Sequence, residues 1–140
     1  YIAMIVSAFR IIDETAESSF KDVSKYEWYY KYIASAEKND IVLGKDDGTF
    51  GIGEEINRQE MSVILHRVIN FTKIRLKTVY DKIIFDDESD IDDFAAESIK
   101  NLQQSGIVKG TGDNKFSPKD KVNRAMAANI IYNTLKLDGR

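Results

Sequence analysis

The sequence predicts a mainly α-helical protein built from tandem helix–loop–helix units, because the chain repeats itself and the repeated segments have helical spacing. A gapless offset of 66 residues superposes segments 40–44 and 56–58 on segments 106–110 and 122–124. In both copies the apolar residues that follow are spaced 3, 1, 3 and 1 apart, which is typical of one face of an α-helix. Each unit is therefore expected to end in an amphipathic helix.

The same helical face opens the chain. At an offset of 60 residues, the spacing recurs in Tyr1, Met4, Ile5, Ala8 and Phe9. An exposed stripe of this size would promote aggregation, so we expect it to be buried. We therefore predict that the chain begins part-way through a repeat. The predicted segments are the last helix of a preceding repeat with its linker at 1–19, a repeat at 20–71, a linker at 72–84 and a repeat at 85–140.

The first helix of each repeat is predicted from caps and apolar periodicity. Ser24 and Glu27 have the spacing of a capping box, which predicts a helix running through about Lys38 with Trp28 on its buried side. The counterpart in the second repeat is expected at residues 92–104, with Phe94 in the core. Both helices are thus predicted to be core elements.

A second helix follows in each repeat after a short apolar run, a glycine and a polar turn. Asn57 and Glu60 resemble a capping box for this helix. Arg58 falls in its first turn, where a positive charge opposes the helix dipole. Because Arg124 occupies the equivalent position in the second repeat, we expect these arginines to have a role other than capping.

The composition excludes several classes of function. Twenty Lys and Arg against 23 Asp and Glu give a net charge of -3, which lacks the positive field that drives binding to nucleic acid. Without cysteine there is no disulfide and no thiolate site, and a single histidine cannot form a metal cluster. No apolar run approaches the roughly 20 residues of a membrane span. No acid, base and nucleophile stand in recognisable order, so we expect no enzyme and no cofactor.

The ordered motifs resemble those of the S-layer homology family. The landmarks of that family are F-x-D-V, a Trp that opens the first helix, G-I-I-x-G, D-G-T-F-x-P and I-T-R-A-E. Their counterparts in this sequence are residues 20–23, Trp28, residues 40–44, residues 47–52 and residues 56–60. The order and recurrence of the motifs extend the resemblance over both repeats and the tail of a preceding one.

The resemblance implies a three-prong, pseudo-threefold arrangement of repeats around a central bundle of first helices. It also implies a noncatalytic module outside the cell, at the bacterial cell wall or surface layer. Such modules bind secondary cell-wall polysaccharide, commonly carrying ketal pyruvate, in grooves between repeats. Another repeat or chain is expected to complete the bundle. The alternative is a protein-interaction or self-assembly module of a surface-layer protein, whose grooves would hold another protein.

The chemistry of a pyruvylated sugar indicates which residues are candidates for ligand binding. A guanidinium holds a carboxylate through two parallel bonds, an aromatic ring lies against the apolar face of a sugar, and glycine lets the backbone approach closely. The candidates are Asp22, Trp28, Gly44, Arg58, Glu60, Asp87, Phe94, Gly110 and Arg124. Because Phe94 stands where Trp is expected and Met126 where Glu is expected, the second repeat is expected to hold the less complete set.

Simpler interpretations stay open for several of these residues. From the residues alone, Trp28 is an ordinary core aromatic, and Arg58 and Arg124 form salt bridges with Asp22 or Asp87. Likewise, His66 is expected to be a partly exposed helix residue. The acidic segments 46–48 and 86–93 lack the alternating ligand pattern of a calcium loop, so they are interpreted as turns and the approach to a helix.

Overall fold

The computed structural model describes residues 1–139, and these residues are mainly helical, as the sequence predicts. The α-helices are α1 (Ile2–Ala8), α2 (Tyr30–Lys38), α3 (Arg58–Phe71), α4 (Asp93–Gln104) and α5 (Arg124–Leu137), and a 3₁₀ turn spans Glu88–Asp90. Extended pairing within the described residues is limited to two isolated antiparallel bridges, Asn57 with Lys121 and Gly112 with Lys115. None of the described helices is long and apolar enough to cross a lipid bilayer.

The chain divides into two compact units whose boundary falls inside the first sequence repeat. The first unit, Tyr1–Glu54, contains α1 packed against α2, and the second unit, which starts at Glu55, contains α3 packed against α4. Each unit therefore pairs the last helix of one repeat with the first helix of the next. The packing unit is offset from the sequence repeat by one helix.

The start of the chain forms a helix, as predicted, but only part of the predicted apolar stripe is buried: Ile5 and Phe9 are buried, whereas Tyr1, Met4 and Ala8 are half-buried. In α1 the side chains of Ile2, Ile5 and Val6 are buried, and Phe9 is buried at its C-cap. They pack in the unit that also buries Ile33, Ala34 and Ala36 of α2. The first unit thus has its own core.

The first helix of the first repeat begins later than the sequence predicts. The capping box expected at Ser24 and Glu27 is not formed; instead the Glu27 N–H donates to the Ser24 carbonyl at 3.2 Å and the chain continues through turns to Tyr30. Trp28 consequently precedes α2 and does not share its buried face. The expectation that Trp28 belongs to the core is wrong, because 71% of its surface is exposed.

Phe94 departs from its predicted burial for a related reason. Helix α4 covers Asp93–Gln104, close to the expected 92–104, but Phe94 lies in its first turn and 59% of its surface is exposed. The neighbouring Ala95 is the residue of that turn that enters the core. Equivalent aromatic positions in the two repeats therefore both face outward.

The caps of the second helices agree with the sequence. At α3 the Asn57 carboxamide accepts the Glu60 N–H at 3.0 Å, and the Glu60 carboxylate accepts the Asn57 N–H at 2.9 Å. At α5 only one of the two bonds forms: the Asn123 carboxamide accepts the Met126 N–H at 2.9 Å. Methionine has no carboxylate, so it cannot return the bond.

Four helices end in the same Schellman motif. In each case an isoleucine N–H donates back to a carbonyl of the last turn, at distances of 2.9–3.1 Å, and the isoleucine side chain is buried. The isoleucines are Ile11, Ile41, Ile74 and Ile107, and the residues before them, all with positive φ, are Arg10, Asp40, Lys73 and Gly106. The motif turns the chain so that each helix is followed by a core residue.

We expect Asp40→Gly to stabilise the first unit by about 0.5–1 kcal/mol. Asp40 has φ +54°, where a β-carbon is strained, whereas the equivalent residue in the second repeat is Gly106. The relief of strain should exceed the added entropy of the unfolded chain. Thermal unfolding of the variant would measure the change.

The matched control is Gly106→Ala, which should lower the melting temperature. Gly106 has φ +78°, and a β-carbon there would lie 2.8 Å from the Tyr80 ring. If Asp40→Gly also lowers the melting temperature, the Asp40 side chain makes a contribution that outweighs its backbone strain.

Candidate functional site

The aspartate of the F-x-D motif in the first repeat holds the following polar turn in place. The Asp22 carboxylate accepts the N–H groups of Phe50 at 2.7 Å, Gly51 at 2.8 Å and Ile52 at 2.9 Å. Desolvation acts to raise the pKa of Asp22, but the three N–H groups outweigh it and lower the pKa to about 2. A charged side chain thus organises a loop that lies about 30 residues further along the chain.

Asp87 makes the same clamp in the second repeat. Its carboxylate accepts the N–H of Phe116 at 2.8 Å and that of Ser117 at 2.7 Å. Desolvation again acts to raise the pKa of Asp87, and the N–H groups together with Lys115 hold it below its ordinary value. Both aspartates are therefore engaged with loop backbone, and their contact with a ligand stays a prediction.

The candidate glycines lie against the phenylalanines of the F-x-D motifs. A β-carbon on Gly44 would lie 2.1 Å from the Phe20 ring. One on Gly110 would lie 2.7 Å from the Lys115 carbonyl and 3.1 Å from the Phe85 ring. Close packing against these rings is sufficient to explain why both positions are glycine. The predicted contact of these glycines with a sugar stays a prediction.

Arg58 is the most constrained residue among the candidates. Only 9% of its surface is exposed, and its Nε and Nη2 atoms donate to the carbonyls of Phe116 and Lys109, each at 2.9 Å. The guanidinium also lies 4.8 Å from the centre of the Phe116 ring. Burial lowers the pKa of Arg58, and the carboxylates of Asp120 and Asp87 oppose that change.

These contacts join the second helix of one repeat to the loop of the next. Both side-chain bonds of Arg58 go to carbonyl oxygens, so the salt-bridge interpretation does not describe its contacts. Its Nη1 atom takes no part in either bond. Arg58 and Asp87 both hold Phe116, through its carbonyl and its N–H respectively, and Gly110 lies against Lys115 of the same loop. Glu60 caps the helix that carries Arg58.

Sequence reasoning missed a neighbour of Arg58 with a similar role. Gln59 is buried; its amide nitrogen donates to the Asp92 carboxylate at 2.6 Å, and its amide oxygen accepts the Asp92 N–H at 3.1 Å. This exchange fixes the start of α4 against α3. Gln59 is polar, and the helix faces were located from the spacing of apolar residues. The sequence pattern therefore did not indicate that Gln59 is buried.

Arg124 has a different environment from Arg58. It begins α5, is exposed, and has no clamp of the Arg58 kind around it within the part of the chain that the structure describes. The remaining candidates, Trp28 and Phe94, are exposed rings at the start of the first helices. The structure therefore separates the candidates into residues that hold loops and residues that face solvent.

His66 has a structural environment. Its Nδ1 atom lies 3.0 Å from Ser98 Oγ and its Nε2 atom 3.3 Å from the Asn101 amide nitrogen, so it bridges α3 and α4. Burial lowers the pKa of His66, against the opposing charge of Glu97. A half-buried, hydrogen-bonded imidazole agrees with the predicted helix residue.

The repeated arrangement of clamp, glycine and arginine corresponds to a known family. The profile of the S-layer homology domain matches residues 19–62 and 84–128, which is more than half of the chain. The chain belongs to this family. The S-layer homology domain is a noncatalytic module that anchors proteins at the cell surface, which points to the cell envelope, outside the cell.

Similar proteins contain the domain as a small part of a longer chain. An amylopullulanase of Thermoanaerobacterium thermosulfurigenes is 34% identical over 99% of this chain, which spans 7% of that protein. The exoglucanase XynX of Acetivibrio thermocellus is 32% identical over 97% of this chain, spanning 12% of the enzyme. S-layer protein EA1 of Bacillus anthracis is 32% identical over 87%, spanning 14% of its length. Proteins with different activities thus have this domain in common.

We expect Arg58→Ala to destabilise the second unit by about 2–4 kcal/mol, because it removes two charge-assisted bonds and leaves the buried Phe116 carbonyl without its donor. Arg58→Lys should recover only part of this loss, since an ammonium cannot reproduce the guanidinium fork. Urea denaturation would measure both changes.

Arg124→Ala is the matched control, because the residue is exposed at the equivalent helix position. Its effect on stability should lie within about 0.5 kcal/mol. Equal and small effects of Arg58→Ala and Arg124→Ala would contradict the role of Arg58 as a clamp.

The clamp at Asp22 predicts a specific dependence of stability on pH. Its folded pKa of about 2 lies below the ordinary value of 3.8, so the ionised carboxylate stabilises the fold above about pH 4. This contribution is lost as the pH falls through about 2. Urea denaturation at several pH values should show a steeper loss of stability in the parent than in Asp22→Asn. Asp46→Asn, at an exposed turn residue, should follow the parent; an identical pH profile for Asp22→Asn would contradict the clamp.

Proposed function

We propose that this chain holds a protein at the bacterial cell wall by binding secondary cell-wall polysaccharide, with ketal pyruvate as the anionic group that it recognises. The observation that carries the proposal is the exposure of Trp28, a large aromatic ring that the core does not use. An exposed indole can lie against the apolar face of a sugar ring. The relatives support anchoring as the shared role, because an amylopullulanase, an exoglucanase and an S-layer protein all contain this domain.

The arginines are the proposed contacts for the carboxylate of the ketal. Arg124 offers an exposed guanidinium, which can hold a carboxylate through two parallel bonds. Arg58 offers only the side of its guanidinium that includes Nη1, because its other nitrogens are bound to carbonyls. We therefore propose that Arg124 contributes directly to anion binding and that Arg58 contributes chiefly by fixing its loop.

A second candidate function is association with another repeat or chain. In α3 the face containing Arg58, Gln59, Ser62 and Val63 is buried within the second unit. The equivalent residues of α5 are exposed, namely Arg124, Ala125, Ala128 and Asn129. This face of α5 therefore resembles a surface that receives the first helix of a further repeat, which favours a partner segment or self-association as the alternative.

A sedimentation assay with cell-wall sacculi tests the proposed function. The chain should sediment with intact sacculi and remain in solution after the polysaccharide has been extracted. Removal of the ketals by mild acid should weaken binding without abolishing every sugar contact. Equal binding to intact and extracted sacculi would contradict the proposal, and a concentration-dependent increase in mass by light scattering would favour the alternative.

We expect Arg124→Ala to lower the affinity for the pyruvylated polysaccharide by about 5–10-fold, because an exposed charge-assisted pair is lost. The affinity for the polysaccharide without ketals should be unchanged. Lys136→Ala, at an exposed cation on the same helix, is the matched control and should bind like the parent. Titration of purified polysaccharide would measure these affinities. An equal loss of affinity for both forms of the polysaccharide would show that Arg124 does not recognise the carboxylate.

A further inference from the structure

The linker between the two repeats carries positive charge that no described carboxylate neutralises. Lys73, Arg75 and Lys77 are exposed, and none of them forms an ion pair within the part of the chain that the structure describes. Further along the same linker, Lys82 pairs with Glu88 at 2.7 Å. Like charges at alternate positions repel one another, so these cations do not stabilise the folded chain. Their presence therefore calls for an explanation other than folding.

The linker that precedes the first repeat has the opposite charge. Its carboxylates are neutralised by lysines, in the pairs Asp13 with Lys38, Glu14 with Lys31 at 3.2 Å, and Glu17 with Lys25 at 3.3 Å. The fold thus accepts a paired, acidic linker in the first unit. The shared helical framework does not require cations at this place, and the unpaired positive charge is specific to the linker of the second unit.

A polar cavity lies between this linker and the helices α3 and α4. Its volume is about 290 Å³, and its polar lining comes from His66 and Asn70 of α3, Asn101 of α4, and Lys77 and Thr78 of the linker. None of the described residues that line it is acidic. The volume is close to the lower limit of about 300 Å³ for ligand pockets. The cavity therefore suits one charged group together with the atoms on either side of it.

The equivalent place in the first unit is bridged by a hydrogen bond. Counted from the Schellman isoleucines, Asp13 corresponds to Leu76 and Ser35 corresponds to Asn101. The Asp13 N–H donates to Ser35 Oγ at 2.9 Å, and Ser35 is fully buried. In the second unit the Leu76 N–H makes no hydrogen bond to any described residue. The second unit thus has a polar cavity where the first unit packs its linker onto the helix.

The groups around the cavity suit a phosphate that is flanked by hydroxyl groups. Lys77 supplies an ammonium and Thr78 a hydroxyl, and the backbone N–H groups of residues 75–78 donate to no described residue. An ammonium binds phosphate as a point charge, and no arginine in the lining offers the planar fork that holds a carboxylate through two bonds. The carboxamides of Asn70 and Asn101 contain both donors and acceptors, so they can also bind the hydroxyl groups of a polyol.

The other two cations extend this arrangement along the linker. Arg75 is two residues from Lys77, so their Cα atoms lie within about 7 Å of each other. Lys73 lies beside Asn70, whose carbonyl accepts the Lys73 N–H at 3.2 Å. Cations at alternate residues suit a ligand with one anion in every short repeat unit, as in a linear polymer of polyol phosphodiesters. A ketal occurs on one sugar of a longer repeat, so a ketal polymer matches this spacing less well.

We propose that Lys73, Arg75 and Lys77, together with the cavity beside them, bind a linear polyol-phosphate polymer. We call these three cations and the lining of the cavity the linker site. It shares no residue with the contacts proposed for the pyruvylated polysaccharide, so it goes beyond the proposed function and does not depend on it. The chain thus binds two chemically different anionic polymers through different residues.

Two probes test the linker site directly. Purified poly(glycerol phosphate) represents the polymer, and glycerol 3-phosphate represents one of its phosphate groups. Titration calorimetry should show that the chain binds the polymer and that binding weakens as salt is added, because bound phosphates release counterions. In NMR spectra of the ¹⁵N-labelled chain, both probes should shift the backbone amide signals of residues 75–78 and the side-chain amide signals of Asn70 and Asn101. Shifts confined to other residues would overturn the assignment of the site.

Removal of positive charge tests the cations of the linker site. Lys77→Gln should lower the affinity for poly(glycerol phosphate) about 5–10-fold, and replacement of Lys73, Arg75 and Lys77 together by glutamine should lower it about 30-fold or more. The matched control is Lys136→Gln, which removes one exposed positive charge from α5, and its affinity should stay within about twofold of the parent. Melting temperatures check that the variants are folded.

Addition of negative charge tests the cavity. Asn70 is exposed, and its side chain donates and accepts no hydrogen bond among the described residues, so Asn70→Asp should fold like the parent. The new carboxylate repels a phosphate in the cavity and should lower the affinity for poly(glycerol phosphate) about 5–10-fold. Asn129→Asp makes the same change of net charge at an exposed position of α5, and it should bind within about twofold of the parent.

The outcomes separate this inference from the proposed function. If the parent binds pyruvylated polysaccharide but not poly(glycerol phosphate), the inference is overturned and the proposed function stands. If it binds poly(glycerol phosphate) but not the pyruvylated polysaccharide, the proposed function fails and the inference stands. The linker variants should bind the pyruvylated polysaccharide like the parent, and an equal loss for both polymers would overturn the linker site as a separate site.

Two further polymers test the chemistry of recognition. Polygalacturonate carries carboxylates, and oligodeoxythymidylate carries phosphodiesters on a nucleic-acid backbone. Both should bind at least about fivefold more weakly than poly(glycerol phosphate) with the same number of charges. Equal binding of polygalacturonate, or an equal effect of Lys136→Gln and Lys77→Gln, would show a general cationic surface and overturn the inference. Tighter binding of oligodeoxythymidylate would show a nucleic-acid contact and overturn it as well.

Discussion

The Arg58 guanidinium joins two sequence repeats into one folded unit. It extends from the first turn of α3 to the carbonyls of Lys109 and Phe116, which lie 51 and 58 residues further along the chain. The Asp87 carboxylate accepts the N–H of the same Phe116. A buried charge is costly without partners, so α3, the loop and Asp87 must be arranged together. Within the second unit, this dependence ties the end of one repeat to the start of the next.

The clamps act on backbone groups, which leaves the side chains of the loops free to vary. Asp22 and Asp87 hold N–H groups of residues whose identities differ between the repeats, such as Gly51 and Ser117. Arg58 likewise binds carbonyls, which every residue has. The second repeat can therefore keep the fold although Phe94 replaces a tryptophan and Met126 a glutamate. The two repeats can thus share a loop backbone held by the same kinds of bond while their exposed side chains differ.

Features that depend on neighbours in sequence were predictable, and those that depend on distant partners were not. The bounds of α4 and the start of α3 with its cap at Asn57 follow from local spacing, and the structure confirms them to within one residue. The predicted start of α2 was wrong, because Ser24 and Glu27 match the pattern of a capping box yet form a turn. The buried contacts of Arg58 could not be predicted, because the carbonyls it binds belong to another repeat and carry no sequence signal.

Equivalent positions of a repeat therefore need not have equivalent roles. Arg58 and Arg124 occupy the same helix position and match the same motif, yet one is buried with its donors bound to carbonyls and the other is exposed. An exposed guanidinium can bind a ligand without cost to the fold, whereas one that already holds a loop would have to give up bonds or use its remaining nitrogen. The same reasoning separates Tyr30, which holds the linker, from the neighbouring rings that face solvent. A motif indicates which residues to consider, and the partners that each residue already has determine how much of it is available to a ligand.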